Sequence, residues 1–216
     1  MDAKPNEIPA VRELLKASTD LAGAVITVDA LHTQSDTAQA IAGRHADYVM
    51  TVKANMPALD RQLKKLPWTA IPATSAVSTG RGRRARRTIK AVLAPAWIEF
   101  AGAAQVVQVR RTVTKKGKKT VEVVYLITSD RSADSATLAA WVRGHWEIEN
   151  RLHWVRDVTY QEDKSLVRTG NAARVMASLR SLAISLLRLD AQANIAAANR
   201  HHARDPQRTR KLLQSA

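Results

Sequence analysis

The first third of the chain alternates between short apolar runs and amphipathic segments. Ala24–Asp29 and Tyr48–Val52 are rich in β-branched residues between polar flanks, which predicts two buried strands. Apolar residues recur three or four positions apart in the segments around them, Ile8–Lys16, Thr33–His45 and Met56–Leu66, which predicts three helices. A strand, a helix and a strand with short links predict parallel pairing and a right-handed crossover.

The middle of the chain has the turn-rich, alternating pattern of β structure. Pro67–Thr79 is rich in Pro, Ser and Thr, and we expect a loop there. Thr88–Leu93 is predicted to be a strand. Ala104–Thr114 and Thr120–Thr128 are predicted to form a β-hairpin around a lysine-rich turn.

Two long apolar stripes predict helices in the last third, because their members are three or four residues apart. The first stripe contains Leu138, Trp141, His145, Ile148, Leu152 and Val155. The second contains Val175, Met176, Leu179, Leu182, Ala183, Leu186 and Leu187. Beyond Asp190 the chain becomes rich first in Ala and Asn and then in Arg and His, and we expect a basic tail that frays.

Composition narrows the class of protein. With 216 residues, 45% of them hydrophobic, the chain can bury a core. It has 34 Lys and Arg against 19 Asp and Glu, a net charge of +15, which favours a polyanionic partner such as nucleic acid. An ordinary protein of basic composition is the alternative. The absence of cysteine excludes a disulfide framework and suits a reducing compartment.

The apolar pattern gives no sign of a membrane protein. No apolar run approaches the roughly 20 residues that span a bilayer, and the polar start of the sequence is not typical of a signal peptide. We therefore expect a soluble, intracellular protein with no membrane contact.

Two clusters of cations in the middle of the chain are candidates for DNA contact. The first contains Arg81, Arg83, Arg84, Arg86, Arg87 and Lys90, and the adjacent Gly80 and Gly82 predict a flexible loop. The second contains Arg110, Arg111, Lys115, Lys116, Lys118 and Lys119. Cations of this kind can hold phosphates without reading base sequence, and the alternative is a merely solvated surface.

Two acidic residues, Asp29 and Glu149, are candidates for a catalytic or ligand-binding site. Asp29 ends the first predicted strand, and ligands collect at the carboxyl edge of parallel sheets. The alternative for Asp29 is a turn cap. Glu149 shares a predicted helix face with Trp146, His153 and Arg156, and its alternative is an exposed glutamate paired with a nearby base.

The two acids make sense together if both bind Mg²⁺, a hard cation that prefers oxygen ligands. Two such ions about 3.5–4 Å apart can activate a nucleophile and steady the leaving oxygen in phosphodiester cleavage. That chemistry ordinarily needs at least three carboxylates, and this sequence offers two good candidates.

Several ordered motifs resemble one family. The segments Lys4–Ala10, Thr27–Gln34, Asp47–Asn55, His145–Trp154 and Asp157–Asp163 resemble K-S-N-E-I-x-A, T-x-D-A-L-H-T-Q, D-Y-V-L-x-V-K-x-N, H-W-x-I-E-N-x-L-H-W and D-V-T-F-x-E-D. These motifs are typical of the ISAs-type, H-repeat-associated transposases of bacterial insertion sequences, within the IS-four-like group. The resemblance runs from about Lys4 to Arg188.

The resemblance implies an RNase H-like core, a β-rich insertion before the last catalytic helix, and a D-D-E triad that uses Mg²⁺ or Mn²⁺. Asp29 matches the second Asp of the triad and Glu149 the final Glu, so both are expected to be catalytic metal ligands. Basic residues of the family four before and seven after that Glu correspond to His145 and Arg156, which are expected to hold DNA.

The sequence also departs from the family. The first Asp of the triad lies upstream of the motif matched at Lys4–Ala10, so we expect an α/β fold whose RNase H-like core is incomplete at its N-terminus, from a truncated transposase inactive alone. Gly82–Arg87 resembles G-R-x-E-x-R with Ala85 in place of the acid, which puts the local role of this segment in doubt.

These expectations divide the chain into four parts: a partial RNase H-like segment (1–66), a β-rich basic insertion (67–130), a catalytic-helix region (131–190) and a basic, flexible tail (191–216). The expected function is DNA cleavage and strand transfer in transposition, with transposon ends and target DNA as partners. Self-association, or association with a full-length transposase, is also expected. The alternatives are a DNA-binding regulator without enzymatic activity and a translated pseudogene.

Overall fold

The parallel strand pair predicted near the N-terminus is confirmed. The computed structural model describes residues 7–80 and 82–214, without the side chains of residues 7, 8, 149 and 150. Two compact units divide the chain at Met1–Arg143 and Gly144–Ala216. The first opens with α1 (Glu7–Ala17), β1 (Val25–Val28), α2 (Ser35–Ala42), β2 (Asp47–Val52) and α3 (Pro57–Lys64). β1 and β2 pair in parallel, with Val25 opposite Asp47.

A sheet of six strands in the order β1-β2-β6-β5-β4-β3 organises the described part of this unit. Its other members are β3 (Thr74–Gly80), β4 (Arg83–Leu93), β5 (Gln105–Lys115) and β6 (Lys118–Thr128). β6 pairs antiparallel with β2, which joins the hairpins to the parallel pair. The predicted β5–β6 hairpin is therefore confirmed.

Two loop predictions are wrong. The end of Pro67–Thr79 belongs to β3, and the arginine-rich segment predicted as a flexible loop forms β4 from Arg83 onward. β3 ends at Gly80 and β4 begins at Arg83, and Gly82 between them has a φ of 69°. Pairing of β4 with both β3 and β5 stabilises a segment whose own composition gave little strand signal.

The sheet has an apolar cluster on each side. On one side, α1, α2 and α3 bury Leu15, Ile41 and Leu63 against Met50 and Ile127. On the other side, α4 (Ser135–Ile148) covers a second cluster, whose buried members are Val49, Ile89, Val107, Val109, Leu126 and Leu138. Strand residues therefore alternate between two covered faces near the core, as the two-residue period requires.

The C-terminal unit is helical. The predicted α-helix continues after α4 as π-helical turns at Glu149–His153 and Val155–Thr159, and a short 3-10 turn spans Glu162–Lys164. The helices α5 (Ala172–Leu189), α6 (Ile195–Ala203) and α7 (Pro206–Gln214) follow. Where fraying was expected after Asp190, the structure has two helices, because Asn194 caps α6 by accepting a bond from the Ala197 amide.

This unit has a small hydrophobic core of its own. Val155, Ile184, Leu187, Ile195 and Ala198 are buried together. Three of the seven residues of the predicted α5 stripe do not join them, since Val175, Leu179 and Leu182 are about half exposed at 52–53%. The mixed α/β fold, with a β-rich segment between the parallel pair and the C-terminal helices, agrees with the expected class and is consistent with an RNase H-like core.

A helix that crosses a bilayer must be long and apolar, and the helices of the described residues differ from that. None of them is long and apolar enough to cross a membrane.

Candidate nucleic-acid interface

Three long strands extend beyond the apolar core and carry most of the clustered cations. We call this part the distal sheet; it consists of Arg83–Thr88 of β4, Arg110–Lys115 of β5 and Lys118–Val123 of β6. These segments are in register, with Arg83 opposite Lys115 and Lys115 opposite Lys118. The neighbouring strand β3 is exposed at all seven of its positions. The distal sheet is thus a polar surface built on strands that the core anchors.

One face of the distal sheet forms an open groove of about 660 Å³. We call it the open face. Its lining consists of Trp68, Thr69, Arg84, Arg86, Thr88, Lys90, Gln108, Arg110, Thr112, Thr114 and Lys119. Five of these eleven residues are cations and none is acidic. The open face therefore has a strongly positive potential and is suited to a polyanion.

Strand geometry spaces these cations regularly. Arg84 and Arg86 are two residues apart on β4, which places them roughly 6.6 Å apart along the strand. Thr114 and Thr112 stand directly opposite them on β5. Guanidinium and hydroxyl groups are the side chains that most often donate to phosphate oxygens in DNA complexes. The groove can accept a row of phosphates without contacting bases.

Lys90 marks the inner end of the groove. Its ammonium donates to the backbone oxygen of Trp68, and the Trp68 ring packs against Tyr125 at a centroid distance of 5.7 Å. Lys90 is therefore held by the protein, whereas Arg84 and Arg86 project from exposed positions.

The opposite face carries the other half of the predicted arginine block. Arg83 and Arg87 lie on this face, because successive strand residues alternate. Arg87 stands directly opposite Arg111 of β5. Ala85, where the resembled motif has an acid, is buried between them at 3% exposure. Arg81 lies outside the described residues, so its predicted role stays untested.

Cations crowd one another around Arg87. Burial lowers the pKa of Arg87, and the fields of Arg111, Arg143 and Arg83 lower it further. Arg87 donates to the Ser78 hydroxyl at 3.4 Å. Arg111 is paired with Glu122 at 3.7 Å. The neighbouring guanidinium groups thus repel the charge on Arg87.

Asp29 lies at the carboxyl edge of the parallel strands, as predicted. It is exposed, and its Oδ1 accepts a bond from the His32 amide at 3.3 Å. The Thr33 hydroxyl lies 3.0 Å from the Asp29 carbonyl oxygen and 2.7 Å from that of Thr51. This contact ties the ends of β1 and β2 together, so the backbone that presents Asp29 is fixed by the sheet. The capping role considered for Asp29 is also present.

Three predicted site residues lie in the C-terminal unit, and the structure describes the side chains of two of them, His145 and Arg156. His145 lies in the last turn of α4. Glu149 begins the first π-helical turn, and its side chain lies outside the described residues. Because a π-helix has i→i+5 bonding, the α-helical spacing that put Glu149 and Arg156 on one face does not hold through these turns.

Arg156, expected to hold DNA, has an internal partner. Its Nη2 donates to Glu162 Oε1 at 2.7 Å and its Nε donates to Oε2 of the same carboxylate. Arg180 lies 3.5 Å from Glu162 Oε1. Hydrogen bonding from Arg156 lowers the pKa of Glu162, and the same bond raises the pKa of Arg156. Its predicted DNA role stays a prediction, and the described guanidinium binds Glu162.

Comparison with known proteins identifies the family. Residues 1–186 match the family model described as "Transposase DDE domain". The chain belongs to this transposase family. YncI of Escherichia coli O157:H7, named as a candidate transposase, is 34% identical over 202 residues, which are 87% of this chain and 51% of YncI. YhhI of Escherichia coli strain K12, named as an H repeat-associated candidate transposase, is 32% identical over 205 residues, 88% of this chain and 53% of YhhI.

This transposase domain thus spans about half the length of the curated relatives it matches. Among solved structures, a piggyBac transposase synaptic complex with hairpin DNA is 17% identical over 91% of this chain and 36% of that chain. The TM-score of this comparison is 0.34. The resemblance identified from sequence motifs is confirmed at the level of the family.

The family implies a divalent metal, and of the two predicted ligands only Asp29 has its side chain among the described residues. Asp29 uses one carboxylate oxygen as a turn cap. The nearby His32 Nδ1 is buried with no described hydrogen-bond partner, but nitrogen is not the ligand that Mg²⁺ prefers. Within the described part of the chain, no three His, Cys, Asp or Glu side chains are grouped as metal ligands.

Sequence reasoning missed residues that only the strand register and the helix geometry reveal. Gln108 and Thr112 join the open face, and Arg143 of α4 approaches Arg87. Glu162 and Arg180 form the internal partners of Arg156. The two-residue alternation within β4 could have separated Arg84 and Arg86 from their neighbours, had a strand been predicted there.

Proposed function

We propose that this transposase domain holds DNA during transposition, with the phosphate backbone lying along the open face of the distal sheet. The observation that carries the proposal is a groove lined by five cations and no acid. Cations on one face release condensed counterions from DNA when they bind, and this drives binding of any sequence. The proposed partners are therefore transposon ends and target DNA, with sequence selection supplied by other contacts.

A gel shift at several salt concentrations tests the interface. Replacing Arg84, Arg86 and Arg110 together with Gln removes three phosphate contacts. We expect the slope of log affinity against log salt to fall by about 3, because each contact contributes about 0.9. An unchanged slope would contradict the proposal.

The matched control removes three exposed cations that lie in helices or directly after one. Replacing Lys16, Arg61 and Lys65 with Gln lowers the net charge equally while leaving the groove intact. We expect this variant to change affinity much less than the groove variant. Equal losses in both variants would mean that net charge alone, and not the open face, binds DNA.

Asp29 and Glu149 are the proposed metal-binding carboxylates of the DDE mechanism. Mn²⁺ binding, followed by water-proton relaxation, tests them with a readout other than cleavage. We expect Asp29→Asn and Glu149→Gln each to weaken Mn²⁺ binding at least tenfold, whereas Asp36→Asn, an exposed acid of α2, leaves it unchanged. Unaltered binding in both site variants would exclude them as ligands.

Strand cleavage by this chain alone is a separate question. The expectation from the family motifs is that the chain alone does not cut. An assay with Mg²⁺ or Mn²⁺ on the ends of the element tests this. Metal-dependent cutting that Glu149→Gln abolishes would contradict the expected inactivity and would support the two-metal assignment.

A DNA-binding regulator without enzymatic activity is the second candidate. The open face favours it, because phosphate binding there needs no metal and no catalytic acid. DNA binding that Asp29→Asn leaves unchanged, together with no cleavage under any metal condition, would favour this candidate. On either account we place the protein on the nucleoid of the bacterial cytoplasm.

Self-association, or association with a full-length transposase, is a further part of the proposal. Val175, Leu179 and Leu182 of α5 are about half exposed at helical spacing, which leaves an apolar stripe. Light scattering across a concentration series tests this. We expect Leu179→Glu to reduce self-association and the neighbouring exposed variant Ser178→Glu to change it little. A monomer at all concentrations would contradict it.

A further inference from the structure

The strand β3 forms one edge of the six-stranded sheet. Among the described residues it pairs only with β4, so the backbone groups on its other side have no strand partner there. All seven residues of Thr74–Gly80 are exposed, and Val77 at the centre is 51% exposed. An edge of this kind is a template for pairing with another strand.

The distal sheet has a second edge, and that edge is protected where β3 is not. Within the described part of the chain, β2 pairs only with residues 125–128 of β6, so Lys118–Val123 of β6 is an edge as well. It carries two lysines and one glutamate, and charged side chains discourage the addition of a strand. β3 carries no charge and no proline, and three of its seven residues are Thr or Val. β3 is therefore the edge suited to accept another strand.

A second copy of β3 matches this edge. Opposed residues of an antiparallel pair point to the same face, so two copies can pair around a two-fold axis at Val77, the middle residue of the strand. Val77 then stands opposite Val77 of the second copy, and Ser75 stands opposite Thr79 of the second copy. An apolar pair at the axis with a hydroxyl pair on either side of it is a favourable cross-strand arrangement.

The net charge of +15 does not oppose this contact strongly, because the arginines lie one strand inside the edge. Arg84 and Arg86 of β4 would face their counterparts across two intervening strands, which are β3 of each copy. Three strand spacings separate them, roughly 14 Å. This distance exceeds the Debye length of about 8 Å at physiological salt, so most of the repulsion is screened.

Pairing around Val77 brings the open faces of two copies together. Val77 stands opposite Arg86 of β4 and Ser75 stands opposite Thr88, so both lie on the open face. The bond that Arg86 donates to the Ser75 hydroxyl at 3.3 Å agrees with this placement. The two-fold axis is perpendicular to the sheet, so the open face of one copy continues into that of the other on the same side.

DNA is expected to support this pairing. Seven residues a side make a small contact compared with the roughly 20–30 of a standard interface, so pairing alone is weak. A duplex that contacts both open faces raises the effective concentration of one edge at the other. Resting on the proposed function, we infer that two copies of this chain pair antiparallel through β3 on DNA, and that one duplex lies across a continuous basic surface built from both open faces.

Cysteine cross-linking tests the register, because the chain has no cysteine of its own. Val77→Cys should give a disulfide between two copies on DNA under a mild oxidant. Directly opposed strand residues have Cα atoms about 4.5–5.5 Å apart, a separation that a disulfide spans. Ser75→Cys and Thr79→Cys are the matched controls on the same face. Each alone should cross-link at least tenfold less, because four strand residues, roughly 13 Å, separate its two copies, whereas an equal mixture of the two variants should cross-link.

Cooperativity of DNA binding gives a second readout. On a duplex long enough for two copies, we expect an apparent Hill coefficient between about 1.5 and 2. Val77→Lys adds a charge to the edge and should lower this coefficient to about 1. Val121→Lys is the matched control, because Val121 is 48% exposed and stands opposite Thr112 of the open face, away from β3. The control should keep the coefficient of the unaltered chain.

The outcomes separate this inference from the proposed function. No DNA binding by the unaltered chain would remove both. DNA binding without a cross-link at position 77 would overturn the inference alone, and so would equal cross-linking at positions 75, 77 and 79, which indicates random collision. The cross-linking is repeated with Leu179→Glu present, so that contact through α5 cannot bring the copies together. Loss of the position 77 product in that background would also overturn the inference.

Discussion

The two units use arginine in opposite ways. In the distal sheet, Arg87 faces Arg111 and lies in the fields of Arg83 and Arg143, and its pKa is lowered. In the C-terminal unit, Arg156 and Arg180 converge on Glu162, and the pKa of Arg156 is raised. One set of guanidinium groups therefore repels, and the other shares a carboxylate.

This difference separates arginines that stabilise the fold from arginines available to a partner. Arg156 and Arg180 stabilise the protein only while the Glu162 carboxylate is present. Without it, two partly buried guanidinium groups would have lost this counter-ion. A crowded set costs stability in the absence of an anion and gains it when one binds. Arginine side chains thus stabilise the fold in the C-terminal unit, whereas those around Arg87 favour the binding of an external anion.

Glu162→Gln should give the largest effect. It removes the carboxylate between Arg156 and Arg180, whose side chains are 26% and 11% exposed. We expect the unfolding free energy to fall by roughly 1–3 kcal/mol, measured by urea denaturation. Glu147→Gln is the matched control, because its pair with Arg151 is mostly exposed. Equal effects in the two variants would mean that Glu162 is an ordinary surface charge.

The same contact should give the protein a pH dependence. The pKa of Glu162 is lowered, mainly by the bond from Arg156. A carboxyl group of this kind stabilises the fold above its unfolded pKa of about 4.3, and the contribution is lost as pH falls through the lower folded pKa. We expect the stability difference between the unaltered chain and Glu162→Gln to be constant near neutral pH and to shrink below about pH 4. A difference that grows on acidification would contradict this sign.

Arg87→Gln should change stability in the opposite direction and by less. It removes one member of a directly opposed cation pair. We expect the unfolding free energy to rise by about 0.2–0.5 kcal/mol at low salt, and the gain to disappear at high salt as the repulsion is screened. Urea denaturation at two salt concentrations checks this. A fall of about 1 kcal/mol or more would show that Arg87 contributes to the fold.

Arg86→Gln should have the smallest effect on stability. Arg86 is exposed on the open face and donates to the Ser75 hydroxyl at 3.3 Å. We expect a change within about 0.5 kcal/mol. Its effect should be on DNA binding, with the salt slope reduced by about 1 in a gel shift. A stability change larger than that of Arg87→Gln would break the distinction between the two faces.

Sequence patterns predicted the elements whose signal is local. The two apolar strands and the helix between them were predicted because burial on both faces requires continuous apolar runs, and Asp29 was correctly placed at their carboxyl edge. The β5–β6 hairpin was predicted from alternation around a glycine-containing turn. Family membership was predicted because several motifs occur in order, which no single residue could show.

Features set by distant pairing were not predictable. Thr88–Leu93 was correctly predicted as a strand, but the first part of β4, Arg83–Arg87, was mistaken for a loop because four of its five residues are Arg. Only pairing with β5 across the sheet makes that part a strand. The π-helical turns after Ile148 have no signature in the periodicity. The bond from Arg156 to Glu162 joins the second of those turns to the 3-10 turn after it, and no sequence period relates these two residues.

The connection between β5 and β6 has a consequence for the order of folding. Lys116 and Gly117 both have positive φ, 47° and 75°, which gives the two-residue turn whose twist matches paired strands. Such a local hairpin closes within microseconds, whereas β2 must wait for β6, more than seventy residues downstream. During synthesis, the edge of β2 that later pairs with β6 therefore stays unpaired until the chain has been made as far as Thr128. A residue that slows the turn, such as Val at position 117, would prolong that exposure and raise aggregation during refolding.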